Sequence, residues 1–86
     1  MQDTSHLSLY YFETCPYCVR VLDVLEEMGL PLELRHVLNE EKYARELIAE
    51  GGIDMVPCLR ITHPDGRVEW MYESLDIVEY LKKNFG

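Results

Sequence analysis

The side chains best suited to chemistry are the two thiols of Thr14-Cys15-Pro16-Tyr17-Cys18. A cysteine pair with two residues between can cycle between dithiol and disulfide, or supply half of a metal site. The flanking sequence narrows the choice. Leu7-Ser8-Leu9-Tyr10-Tyr11-Phe12 before the pair is rich in β-forming residues, and Val21, Leu22, Val24, Leu25 and Met28 follow it at helical spacing. The pair therefore falls where a strand turns into a helix. Pro16 then takes the first helical position, where its missing N–H costs nothing. Cys15 lies at the cap and Cys18 three residues on. Side chains so spaced are about 5–6 Å apart between Cβ atoms, and a disulfide needs about 3.5–4.5 Å, so a small adjustment closes one. The first helical turn also presents free N–H groups and a partial positive charge, which favour a thiolate. Cys15, at the exposed end, is expected to attack, and Cys18, turned inward, to resolve.

Other reactive groups are sparse. The chain has three cysteines and three histidines. A zinc site is the competing use of the dithiol, completed by His36, His63 or Cys58, but no second Cys-x-x-Cys or His-x₃-His pattern is present. No metal is expected. Cys58 is expected to be a small buried residue and dispensable. His6, His36 and His63 have no partner at informative spacing and are expected on the surface.

The elements that must position the thiols read as follows. Met1 to His6 is polar and expected to fray. Leu7 to Phe12 is a strand buried on both faces. The helix from Pro16 ends near Gly29, with Pro31 beyond it. Leu32, Leu34 and Val37 mark a second strand, parallel to the first because a helix lies between them. Asn39 is expected to cap a second helix, with Glu40 and Glu41 in its first turn and Tyr43, Leu47 and Ile48 facing inward, until Gly51-Gly52 stops it. Val56 to Thr62 is a third strand beginning at a proline. Pro64-Asp65-Gly66 is a turn, and Val68 to Met71 returns antiparallel. Ser74 is expected to cap a last helix, with Asp76 in its first turn and Ile77, Val78, Leu81 and Phe85 inward. The order is β-α-β-α-β-β-α.

Bulk properties exclude several classes. Eighty-six residues predict one domain, 1–86, with one core of modest stability. Hydrophobic residues form 48% of the chain, too many for a disordered segment. A formal charge of −8 argues against a nucleic-acid partner held through phosphates. No apolar run approaches the roughly 20 residues of a membrane span. No basic region followed by an apolar stretch marks a signal peptide, and an odd cysteine count fits a reducing compartment, so a cytoplasmic location is expected.

Three motifs carry a family resemblance over nearly the whole chain. Cys15-Pro16-Tyr17-Cys18, Val56-Pro57, and Tyr72-Glu73-Ser74-Leu75-Asp76-Ile77 followed by Tyr80-Leu81 together resemble the glutaredoxins. The last segment is closer to that of glutathione transferase N-terminal domains. The resemblance implies an α/β, thioredoxin-like fold with a four-stranded mixed sheet flanked by three helices. It implies a cis peptide at Pro57, opposite the dithiol. It implies a glutathione-dependent thiol–disulfide oxidoreductase acting on protein disulfides and glutathione mixed disulfides. Cys15 and Cys18 would be the catalytic, redox-active pair. Tyr17, Val56, Pro57, Glu73 and Ser74 would bind glutathione, with Glu73 and Asp76 competing for its ammonium and Arg45 and Lys42 loose candidates for its glycyl carboxylate. Glutathione would be a cosubstrate with no tightly bound cofactor, the partners disulfide-bearing or glutathionylated proteins, and the protein a monomer.

The chain departs from ordinary glutaredoxins in three places. Tyr11, Phe12 and Glu13 stand where a lysine often precedes the dithiol, Met55 replaces a threonine before Val56, and Cys58 follows the proline. Two other functions remain open. One is an iron–sulfur binding or delivery module, although Pro16-Tyr17 differs from the Gly-Phe-Ser usual there. The other is a non-catalytic glutathione-binding module, suggested by the transferase-like Glu73-Ser74. The transferases' all-helical second domain is not expected within 86 residues.

Overall fold

A computed structural model of the protein describes residues 4–85. In chain order it runs β1 (Leu7–Tyr11), α1 (Pro16–Met28), β2 (Glu33–His36), α2 (Glu41–Glu46) continued by one π-helical turn (Leu47–Gly51), β3 (Cys58–Thr62), β4 (Val68–Met71) and α3 (Ser74–Phe85). The sheet order is β2-β1-β3-β4, with β1 parallel to β2 and antiparallel to β3, and β3 antiparallel to β4. This is the expected thioredoxin-like, mixed α/β arrangement.

β1 is central, and its alternation sorts the core into two layers. Leu7 and Leu9 pack with Val21, Leu25, Leu59, Ile61, Ile77 and Leu81 under α1 and α3. Tyr10 points the other way and is buried with Leu47 and Cys58 under α2 and its π turn. Burial on both faces explains the nearly unbroken apolar run. On the second face Arg35 is held between the Tyr10 and Tyr43 rings, each about 5.4 Å from its guanidinium. Arg35 donates to the Tyr10 hydroxyl at 2.7 Å, to Glu33 at 2.8 Å, and to Glu46. Burial, with the Glu46 hydrogen bond next, pushes the Tyr10 phenol up. The network ties α2 to β1 and β2.

α1 ends as the sequence predicts. Gly29 is left-handed, with φ 66, its N–H donates to the Glu26 carbonyl at 3.2 Å, and the Leu30 N–H donates to the Leu25 carbonyl at 3.0 Å. This pair of hydrogen bonds is the common glycine-terminated helix stop.

Five expectations are corrected. Of Met1 to His6, residues 1–3 lie outside those described, while Thr4 is buried and its hydroxyl donates to the Pro31 carbonyl at 2.7 Å rather than fraying. Asn39 does not cap α2: the cap position is Glu40, and the Asn39 N–H donates to His36 Nδ1. Leu47 is buried but Ile48 is exposed, since neighbouring helical residues diverge by about 100° and only one can face Tyr10. β3 begins at Cys58, not Val56, because Pro57 has no N–H for the ladder. Finally, His36 contacts Glu13, and His63 lies 2.9 Å from Glu69, so both have carboxylate partners.

Candidate active site

The loop after β1 delivers Cys15 to the start of α1. Cys15 is the cap residue, with extended φ −82 and ψ 121, and its carbonyl accepts the Val19 N–H at 2.9 Å. Its side chain makes no capping hydrogen bond, and no acid sits in the first turn. A thiol thus stands where a helix usually has a hydroxyl or carboxylate acceptor. Cys15 is half-buried, Tyr17 is 59% exposed, and Cys18 is fully buried beneath them.

Burial pushes the Cys18 thiol up to about 12; the Phe12 backbone opposes this and the Cys15 side chain adds to it. Cys18 therefore keeps its proton at neutral pH. The two sulfurs differ as the sequence suggests, one accessible at a helix end and one shielded.

Beside the dithiol segment opens a groove of about 280 Å³. Its lining comes from three places: Tyr17 and Arg20 of α1, Met55, Val56 and Pro57 before β3, and Tyr72, Glu73, Ser74 and Leu75 at the start of α3. The Val56–Pro57 peptide is cis. A larger hollow of about 430 Å³, between the end of α1 and β2, is lined mainly by leucines and holds no cysteine. The smaller groove is the one lined by a residue of the dithiol segment, Tyr17, and by the cis Pro57.

Of the residues that the resemblance offered for glutathione, Tyr17, Val56, Pro57, Glu73 and Ser74 line this groove. Asp76 lines a different hollow, with Glu79, Tyr80 and Lys83, which leaves Glu73 as the carboxylate in the groove. Arg45 is paired with Glu41 at 2.8 Å and Lys42 lies 5.1 Å from the Tyr43 ring; neither reaches the groove. Ser74 corrects an expectation. It is the first residue of α3 rather than its cap, and the Glu73 carbonyl accepts the Ile77 N–H at 2.9 Å. The Ser74 hydroxyl, nearly buried, instead accepts a hydrogen bond from Arg20 at 3.3 Å.

Cys58 is fully buried in the second core layer, behind Val56 and Tyr72, and does not itself line the groove. Burial pushes its thiol up to about 12, with Tyr72 and the Met71 backbone pulling the other way. Among the described residues no three His, Cys, Asp or Glu side chains cluster as metal ligands. Four groove residues were given no binding role by the sequence reading: Arg20, Met55, Tyr72 and Leu75. Arg20 had a signal, being three residues after Tyr17 on the same helical face.

A family model described as the glutathione S-transferase N-terminal domain matches residues 9–86. The chain belongs to that family. Glutaredoxin 2 of Escherichia coli is 32% identical over 77 residues, which cover 90% of this chain and 33% of the relative. Among solved structures, Salmonella typhimurium glutaredoxin 2 in complex with glutathione is 29% identical, with TM-score 0.66, over 87% of this chain and 32% of that one. Glutathione transferase Omega 3C of Trametes versicolor is 31% identical, with TM-score 0.71, over 98% of this chain and 34% of that one. The chain spans about a third of the length of the curated relatives it matches. Among the described residues no helix is long and apolar enough to cross a membrane.

Proposed function

We propose that this domain is a glutathione-dependent thiol–disulfide oxidoreductase. The observation that carries the reading is the asymmetric thiol pair at the start of α1, accessible Cys15 over buried Cys18, beside the groove built on Pro57 and Ser74. In the forward step the Cys15 thiolate attacks the glutathionyl sulfur of a mixed disulfide. The substrate leaves as its thiolate and takes up a proton. Cys15 is left bonded to glutathione. A second glutathione thiolate then attacks that sulfur, releasing oxidised glutathione and the Cys15 thiolate. With a protein disulfide as substrate, the Cys15 thiolate attacks one of its sulfurs, forming a mixed disulfide and freeing the other as a thiol. Cys18, giving up its proton, then attacks the Cys15 sulfur, which releases the second substrate thiol and leaves a Cys15–Cys18 disulfide that two glutathiones reduce. The high Cys18 value suits this order, since Cys18 stays a thiol until the mixed disulfide draws it in.

The groove would hold the glutathione portion. Val56 offers its peptide edge to the tripeptide backbone, Glu73 the anion for the ammonium, and Ser74 a hydroxyl at the γ-glutamyl end. Tyr17 closes one wall.

A second reading is conjugation of glutathione to an electrophile, favoured by the family match and the Glu73-Ser74 segment. The thiol pair argues for exchange, because conjugation has no use for a resolving cysteine. A coupled assay with a small glutathione mixed disulfide, run beside a conjugation assay, separates the two. The proposal expects turnover in the first that Cys15→Ser abolishes and Cys18→Ser largely keeps. Conjugation surviving in Cys15→Ser, with no disulfide turnover in the unmodified protein, would refute it.

A further inference from the structure

Arg20 is the one cationic side chain, among the described residues, that lines the groove. Its position is fixed from two sides. The guanidinium donates to the Ser74 hydroxyl at 3.3 Å and lies 5.8 Å from the centre of the Tyr17 ring. The Ser74 bond joins α1 to α3 across 54 positions of sequence. Because Arg20 occupies a lone pair of the Ser74 oxygen, the serine proton is free to point elsewhere, into the groove. Glu73 lines the same wall. The groove therefore brings a tethered cation, a carboxylate and a hydroxyl donor to one lining. That pattern complements a zwitterionic α-amino acid head: carboxylate to the cation and hydroxyl, ammonium to the anion. In a chain of net charge −8, an anionic group needs such a local cation to dwell there. A guanidinium is also the side chain best shaped for a carboxylate.

We propose that Arg20 is the specificity-determining residue that receives the α-carboxylate of the γ-glutamyl end of glutathione, together with the Ser74 hydroxyl. The assignment rests on the glutathione-dependent function proposed above and adds the residue that selects the γ-glutamyl head. The bland alternative is that Arg20 only ties α1 to α3.

The test pairs two proteins with three substrates. The proteins are the unmodified chain and Arg20→Gln, with Arg20→Lys as the conservative control. The substrates are the mixed disulfide of glutathione with 2-mercaptoethanol, the same compound with 4-aminobutyryl in place of γ-glutamyl, and its glycyl ethyl ester. A charge-assisted hydrogen bond is worth roughly a ten- to hundredfold change in kcat/KM. The unmodified protein should lose that factor on the 4-aminobutyryl compound, chiefly through KM. Arg20→Gln should lose it on the parent and lose little more on the 4-aminobutyryl compound. Arg20→Lys should recover part of it. The ester should respond to Arg20→Gln as the parent does. Equal further losses on the 4-aminobutyryl compound in both proteins would overturn the proposal, since Arg20 would not sense that carboxylate. So would an Arg20→Gln effect that vanishes with the ester, which would move Arg20 to the glycyl end. A fall in melting temperature with unchanged kinetics would leave only the α1–α3 tie. If the unmodified protein turns over no glutathione substrate, the functional reading fails by itself. Calorimetric binding of glutathione and of 4-aminobutyryl-Cys-Gly to the same two proteins then decides the Arg20 assignment by the same comparison.

Discussion

Gly51 offers a sharp test of how the second core layer supports the groove. It ends the π turn, facing Trp70 of β4 and Tyr72 just beyond that strand. A Cβ added there would lie 2.4 Å from the Tyr72 hydroxyl oxygen and 3.0 Å from Trp70 Cε3. The Tyr72 hydroxyl is buried against Cys58 without a well-formed hydrogen bond, so it cannot swing away into water. Two effects compete in Gly51→Ala. Alanine gains roughly 0.5–1 kcal/mol over glycine inside a helix. Overpacking a filled core costs about 1–3 kcal/mol. Overpacking wins, for a net loss of roughly 1–2 kcal/mol. In a domain of this size that lowers the melting temperature by about 4–16 °C. Tyr72→Phe removes the atom in the worst clash and, with no good hydrogen bond to break, costs under about 1 kcal/mol by itself. The double variant Gly51→Ala/Tyr72→Phe should therefore recover more than half of the loss, a favourable coupling that denaturant melts of the four proteins measure directly. A Gly51→Ala protein as stable as the parent, or a double variant showing the simple sum of the single losses, would refute this account of the junction.

Three further outcomes concern the buried thiols and the groove. Cys58→Ala should keep turnover within about tenfold of the parent, or roughly 1.4 kcal/mol of barrier, because the thiol is fully buried and does not line the groove; a larger loss in folded protein would give it a chemical role. Both Cys18 and Cys58 are held near 12 by burial, so the folded state keeps protons that the unfolded chain releases. Stability is full below the ordinary thiol range and falls as pH rises toward 12, by at most about 1.4 kcal/mol per pH unit for each cysteine, and Cys58→Ala should make that slope shallower in denaturant melts between neutral and alkaline pH. Glu73→Gln should weaken turnover of glutathione substrates by about tenfold, the worth of one charge-assisted contact, while sparing melting temperature and reactivity toward a disulfide without glutathione. An equal loss on both substrates would remove Glu73 from the groove's chemistry.

The parts of this molecule legible from sequence are those whose cause is local. A proline after Cys15 starts α1, a left-handed glycine ends it, and the alternation Leu7, Leu9 against Ser8, Tyr10 sorts β1 between two layers. The groove residues at Val56-Pro57 and Glu73-Ser74 were found through resemblance, and the packing of β3 and α3 brings them beside Tyr17. What stayed hidden depends on distant partners. Arg20 meets Ser74 only once α1 and α3 pack together, and His36 meets Glu13 only once β2 pairs with β1. The start of α2 was misplaced because Asn39 has its backbone engaged by His36, a side chain on the preceding strand. The π turn breaks the regular spacing on which a helical reading of Leu47 and Ile48 rests; Gly51-Gly52 does stop the helix as the sequence suggests, but the closeness of Gly51 to Tyr72 and Trp70 has no local signal.

The central claim is that Cys15 is the sulfur that takes glutathione. Incubating Cys18→Ser with oxidised glutathione, quenching with acid and locating the adduct by peptide mass spectrometry reads this directly. Cys18→Ser removes the thiol that would otherwise resolve the intermediate. The account predicts one glutathione per chain, on Cys15, released by added glutathione. An unmodified Cys15, or an adduct on Cys58 alone, would contradict it.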